Sequence, residues 1–158
     1  MKLRSRPRTV QNRKQKADER NVMMDNNVNE NEVKYPDLTG ASSLETAQEM
    51  VKILDLKKAR ELKLLHVEEQ TVLADYFIIC SGTSNTHIKS LAGELEYKLT
   101  MSGRPPIRMD GYTEGTWIVM DFGDIMVHIF GRDTRDFYKL EKFWADSTEV
   151  DISGLLVE

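Results

Sequence analysis

Ala74-Asp75-Tyr76-Phe77-Ile78-Ile79-Cys80-Ser81-Gly82-Thr83-Ser84-Asn85-Thr86 is the stretch that decides how this chain folds. Its core, Tyr76 to Cys80, is the longest apolar run in the sequence. That is strand length, far short of the roughly 18 apolar residues that span a bilayer. A strand apolar on both of its faces is buried on both, so Asp75–Ser81 is predicted as a central strand of a covered sheet. Gly82 to Thr86 then turns the chain into a helix, with Thr83 or Ser84 as the cap. Ile88, Leu91, Ala92, Leu95 and Leu99 give that helix one apolar face, and Gly103 with Pro105-Pro106 ends it.

Upstream, Ser42-x-x-Glu45 is a capping box. Leu44, Ala47, Met50, Val51 and Leu54 follow at helical spacing, predicting a helix over about 44–60, and Leu62–Val67 reads as a strand. Downstream, Ile107–Met109 is a third strand and Gly111–Gly115 a polar turn. Trp117–Phe122 and Ile125–Phe130 are two strands joined by Gly123-Asp124, a hairpin signal. In the last strand Ile125, Val127 and Ile129 fall on one face, with Met126, His128 and Phe130 on the other. Asp133 is the expected cap of a third helix on which Phe137, Leu140, Glu141 and Trp144 share a face. The predicted class is α/β (α+β), with a mixed five-stranded sheet and flanking helices over residues 42–145. Residues 146–158 form an acidic tail that reads as weakly structured.

Residues 1–41 lack apolar periodicity and are predicted as a disordered extension, since they bury too little to offset the entropy of ordering. Residues 1–16 carry seven basic side chains and no acidic one, whereas residues 17–158 carry 15 basic against 26 acidic. Phosphate repels such a body, so direct nucleic-acid contact is expected only through the basic N-terminal tail, and the folded part suits a basic protein partner. Three readings of the tail stay open: a solvated arm touching RNA, an organelle-targeting peptide, or untranslated sequence ahead of Met23 or Met24. A single cysteine excludes an internal disulfide, and Cys80 lies inside the apolar run as a core thiol. A reducing, cytoplasmic compartment is expected, with no membrane span.

Catalytic chemistry has a thin basis. Ser81–Asn85 is the only candidate phosphate cradle, and it lacks both a Gly-Lys-Ser/Thr ending and a Gly-x-Gly-x-x-Gly pattern. Asp75, Asp110, Asp121, Asp124 and His128 could be gathered into a metal site, yet none has a ligand spacing. Asp124 is more simply a turn residue, Asp75 the polar entry to a buried strand, and His66 and His87 surface or cap residues. No catalytic residue, metal or cofactor is expected. The competing reading is a nucleotide-dependent transferase built on Ser81–Asn85 with Asp121 or Asp124. Aromatics gathered around one hairpin are what binding hot spots are made of. Trp117 and Phe122 are the first anchors, with Tyr76, Met126, His128 and Tyr138 as neighbours. Trp117 and Phe122 differ in strand parity, so some of these six must be core.

Three segments carry a resemblance to a known family. They are Ala74 to Ser84, then Gly115-x-Trp117 through Asp121-Phe122-Gly123-Asp124 to His128-Ile129-Phe130, and finally Tyr138-x-Leu140-Glu141-x-Phe143-Trp144. In that order they resemble the RsfS/Iojap family of ribosome silencing factors, Phe143 standing where leucine is usual. The resemblance implies a nucleotidyltransferase-like fold without the active site. It also implies binding to the large ribosomal subunit through its basic ribosomal protein fourteen, obstruction of small-subunit joining, and lowered translation under starvation or in stationary phase. A homodimer is implied too. Relatives in mitochondria and chloroplasts leave those compartments as alternatives to the bacterial cytoplasm.

Overall fold

The computed structural model describes residues 34–157. The expectations for residues 1–33, and for the side chains of Phe137, Glu141 and Phe143, lie outside the described residues. The elements run α1 (Ser43–Leu56), β1 (Arg60–His66), β2 (Tyr76–Gly82), α2 (Asn85–Met101), β3 (Arg108–Asp110), β4 (Trp117–Asp121), β5 (Ile125–Gly131), α3 (Arg132–Tyr138), α4 (Leu140–Phe143), β6 (Thr148–Val150) and a single 3₁₀ turn, Ser153–Leu155.

The capping box works as the sequence indicates: the Glu45 N–H donates to Ser42 Oγ at 3.1 Å, and the Ser42 N–H donates to the Glu45 carboxylate at 3.3 Å. Ala47, Met50, Val51 and Leu54 are fully buried along one face of α1, as are Ile88, Leu91, Ala92, Leu95 and Leu99 along α2. Each large side chain buried this way contributes roughly 1.5–3 kcal/mol. Together these two helices cover one face of the sheet, where Leu64, Ile78, Cys80, Ile118, Met120, Ile125, Val127 and Ile129 complete the larger core.

The sheet is mixed, ordered β3-β4-β5-β2-β1-β6. Strands β2 and β5 lie at its centre and pair in parallel from Tyr76↔Ile125 to Gly82↔Gly131. The other pairings are antiparallel. The alternation in β5 holds: Ile125, Val127 and Ile129 join the larger core, while Met126, His128 and Phe130 point to the opposite face.

Several expectations need correction. The sheet has six strands, because β6 pairs with β1 through Leu64↔Val150, Leu65↔Glu149 and His66↔Thr148. The tail is therefore partly structured, and Ile152 is buried beyond it. At the other end, Leu38 is buried and its N–H donates to the Ser102 carbonyl, while Tyr35 packs edge-on against Tyr97. Residues 35–41 thus belong to the packed unit. Asp133 does not cap α3: the helix begins at Arg132 straight after Gly131, which makes no side-chain cap bond. The predicted single third helix is two, because Lys139 takes a left-handed conformation (φ 48°) and breaks it after Tyr138.

Candidate functional site

The second face of the sheet is aromatic. Leu65, Val67, Ala74, Phe77, Ile79 and Phe130 are buried there, with Trp117, Met126, Leu140 and Trp144 half-buried against them. Antiparallel pairing sets Trp117 opposite Phe130, and the two rings stack 4.9 Å apart. Tyr138, 47% exposed, lies 4.9 Å from Trp117 on the outer side. Trp144 meets Phe77 edge-on at 4.9 Å. Such offset and edge-to-face pairs add roughly 0.5–1.5 kcal/mol each beyond area burial.

The loop before β4 aims Trp117. Gly111 has φ 86°, and a Cβ there would stand 2.1 Å from the Trp117 carbonyl oxygen. Only glycine allows that approach. Behind the face, Arg135 of α3 is buried and donates from Nη1 to the Glu61 carbonyl and to Ser81 Oγ, both at 2.9 Å. The β1 bulge at Glu61, where φ is 49°, lies between the paired residues Arg60 and Lys63. Arg135 thereby fastens α3, and with it Tyr138, to the end of the sheet.

His128 sits beneath this layer, 6% exposed. Its Nδ1 is 3.3 Å from the Trp117 indole nitrogen, and Phe77 crosses its ring at 5.2 Å. Burial pushes its pKa down to about 4, so the ring is neutral at physiological pH. Its Nε2 is a buried nitrogen with no hydrogen-bond partner among the described residues.

Of the six residues singled out from sequence, four share this face: Trp117, Met126, His128 and Tyr138. The other two do not join them. Tyr76 belongs to the opposite parity of β2, packs on the larger core and stacks on His66 at 4.7 Å. Its pKa is raised, chiefly by burial and then by the charges of Glu68 and Asp75. Phe122 is 5% exposed inside the larger core, and its N–H closes the hairpin on the Ile125 carbonyl. It is a core residue of the free protein because β4 parity turns it with Ile118 and Met120. Phe77 and Phe130, missing from the six, lie at the centre of the aromatic face. The same two-residue alternation that groups Met126 with His128 would have found Phe130, whereas Phe77 joins them only through the pairing of β2 with β5.

The transferase reading does not assemble. A cleft of about 800 Å³ does open at the carboxyl ends of β2 and β5, lined by Ser81, Thr83, Asn85, Thr116 and Arg132 among others. Yet the Thr83 N–H, which would face a phosphate, donates to His87 Nδ1 at 2.9 Å. Asp121 pairs with Met126, five strand positions from the Gly82↔Gly131 end. At about 3.3 Å per residue that is roughly 16 Å away. Asp124 is committed to Ser43 and Arg104 at that far end. Asp110 pairs with Arg108, Asp75 and Asp124 meet at the Ser43 hydroxyl, and His128 is buried in the aromatic layer, so the five candidate metal ligands do not gather at one point. Among the described residues no three His, Cys, Asp or Glu side chains converge in a way that could hold a metal ion. Burial pushes the Cys80 thiol up to about 12, which keeps it protonated and inert. No described helix is long and apolar enough to cross a membrane.

Comparison with known proteins agrees with this frame. The family model described as "Ribosomal silencing factor during starvation" matches residues 40–158. Ribosomal silencing factor RsfS of Halalkalibacterium halodurans is 35% identical over 115 residues, 73% of this chain and 98% of that protein. Mitochondrial assembly of ribosomal large subunit protein 1 of Mus musculus is 33% identical over 98 residues, 60% of this chain and 43% of that one. A crystal structure of a Chromobacterium violaceum protein superposes with a TM-score of 0.65 at 28% identity, covering 66% of this chain and 87% of the other. The family match takes in the whole frame that carries the Trp117 face, and the chain belongs to the RsfS/Iojap family of ribosomal silencing factors, regulatory proteins that act at the ribosome.

Proposed function

We propose that this chain docks through its Trp117 face on the large ribosomal subunit, on the basic ribosomal protein fourteen, and there obstructs joining of the small subunit. Translation falls in consequence, in starved or stationary cells. The observation that carries the reading is the aromatic layer of Trp117, Tyr138 and Trp144, left half-open to solvent on a sheet whose catalytic candidates are dispersed. Aromatic side chains of this kind dominate binding energy at protein interfaces.

Charge supports the choice of partner. With 15 basic and 26 acidic side chains over residues 17–158, the body attracts a basic protein and makes encounter faster at low salt. An interface of roughly 800 Å² per partner is enough for stable binding. A domain held there occupies space that the small subunit needs, so no chemistry is required for inhibition. The working compartment is the bacterial cytoplasm, with an organelle matrix as the alternative suggested by the mouse relative's name. Self-association through the same face would give the homodimer that the resemblance implies.

The test is sedimentation of the purified protein with separated ribosomal subunits in a sucrose gradient. Co-migration with the large subunit and a reduced yield of joined ribosomes is the expected result. Protein left at the top of the gradient sinks the reading. Removal of residues 1–23 should leave co-migration intact, whereas its loss would assign binding to the basic arm. Thermal stabilisation by nucleotide with magnesium would instead revive the transferase.

A further inference from the structure

His128 carries a polar atom that has no hydrogen-bond partner among the described residues. The Trp117 indole has a single N–H and can only donate, so the His128 Nδ1 that faces it at 3.3 Å must present a lone pair. In a neutral imidazole the proton then resides on Nε2. The buried nitrogen without a partner is therefore a donor, and an unmatched buried donor costs the free protein stability. It lies under the face proposed to dock, between Phe77, Trp117 and Phe130.

The layer above it is lightly built. Tyr138 ends the seven-residue α3, the chain then breaks at Lys139, and Trp144 follows the four-residue α4. Tyr138 packs on Trp117 and Trp144 on Phe77, the two rings that flank His128. Resting on the docking reading, we propose that His128 is the polar anchor of this face: on docking, the Tyr138–Trp144 layer shifts and the His128 Nε2–H is donated to an oxygen acceptor of the basic partner protein. The apolar rings supply area, and this one bond fixes register, since a partner without an acceptor at that point leaves the donor buried and unmatched. His128 is thus a specificity-determining residue, and Trp117 selects its tautomer.

Two substitutions separate the nitrogens. An asparagine amide reaches the position of Nδ1, and a glutamine amide reaches that of Nε2. His128→Asn keeps an acceptor for the Trp117 indole and loses the deep donor, while His128→Gln does the reverse. Binding of each full-length variant to large ribosomal subunits is measured by sedimentation, with thermal unfolding run in parallel to establish that each is folded. The expected result is a loss of at least about tenfold for His128→Asn and a change within about threefold for His128→Gln. Equal losses would mean a structural role, and the opposite order would reverse the assignment; either overturns the proposal while leaving docking intact. Failure of the unaltered protein to bind removes the docking reading, and this one with it. Nitrogen-15 histidine spectra of the free protein give a second check: protonation at Nε2 is expected, and protonation at Nδ1 overturns the argument.

Discussion

Arg104, just past the end of α2, places a guanidinium nitrogen 2.5 Å from the carboxylate of Asp124 in the turn between β4 and β5. The other carboxylate oxygen of Asp124 accepts from the Ser43 hydroxyl at 2.6 Å, and its carbonyl accepts from the Asp75 and Tyr76 N–H groups. One residue thus ties the start of α1, the entry to β2 and the exit of α2 to a hairpin. Removing it strands a partly buried arginine. Asp124→Ala is expected to lose about 2 kcal/mol in urea unfolding, discounted for the partial exposure of both groups, and Asp124→Asn less. A loss below about 0.5 kcal/mol would mean that the network is surface decoration.

Stability should carry a pH signature from His128. Its pKa is lowered from 6.5 to about 4 by burial, so the unfolded chain binds the proton more readily than the folded one. Stability is complete above pH 6.5, declines as pH falls toward about 4, and levels below it, a total of about 3 kcal/mol. Asp37 and Asp151 act lower. Hydrogen bonds from Thr39 and Ser153 hold their carboxyls below 3.8, so their contribution is present above that value and disappears as pH falls through the depressed pKa. The difference in unfolding free energy between the unaltered protein and His128→Phe, followed from pH 7 to 4, isolates the histidine. Parallel curves would refute its buried neutral state.

Trp117 is half-buried with only its outer partner Tyr138 well exposed, so truncation should spare the fold and damage the face. Trp117→Ala is expected to weaken large-subunit binding by about 2 kcal/mol, near thirtyfold, with a circular dichroism spectrum unchanged from that of the parent. A folded variant that binds at full strength would remove Trp117 from the interface.

Gly111 offers a test at a distance. Alanine there meets the Trp117 carbonyl at 2.1 Å with φ at 86°, so Gly111→Ala should cost at least about 2 kcal/mol of stability and displace Trp117 as well. At Gly123, φ is 92° but a Cβ meets only the Ile107 side chain at 3.3 Å. Gly123→Ala should therefore cost about 1 kcal/mol, from backbone strain alone. Equal effects in thermal melts would show that the carbonyl contact is unimportant.

Local rules made much of this protein readable from its residues. The capping box at Ser42 and Glu45, the apolar faces of α1 and α2, and the alternation in β5 each involve neighbours within a few positions. What escaped depended on distant partners. Thr148-Glu149-Val150 has no strand signal of its own and becomes one only because β1 presents a free edge. Leu38 looked like part of a polar extension until the end of α2 supplied its hydrogen bond at Ser102. At the candidate site, parity separated Trp117 from Phe122 but could not say which face α1 and α2 would cover. That depends on the hand in which β2, α2 and β5 are connected, and it decided which aromatics became core.

The parallel seam between β2 and β5 has a consequence for how the chain acquires its shape. Its partners are 49 positions apart in sequence at every rung, from Tyr76↔Ile125 to Gly82↔Gly131. The flanking pairs β1–β2 and β4–β5 are consecutive in the chain and can close early as hairpins, whereas the seam must wait until α2, β3 and β4 have been laid down. Until the two halves join, Phe77, Ile79 and Phe130 have no common layer to enter. The surface proposed for docking is therefore created only when this long-range seam closes, so a half-folded chain has no competent face with which to engage a ribosome.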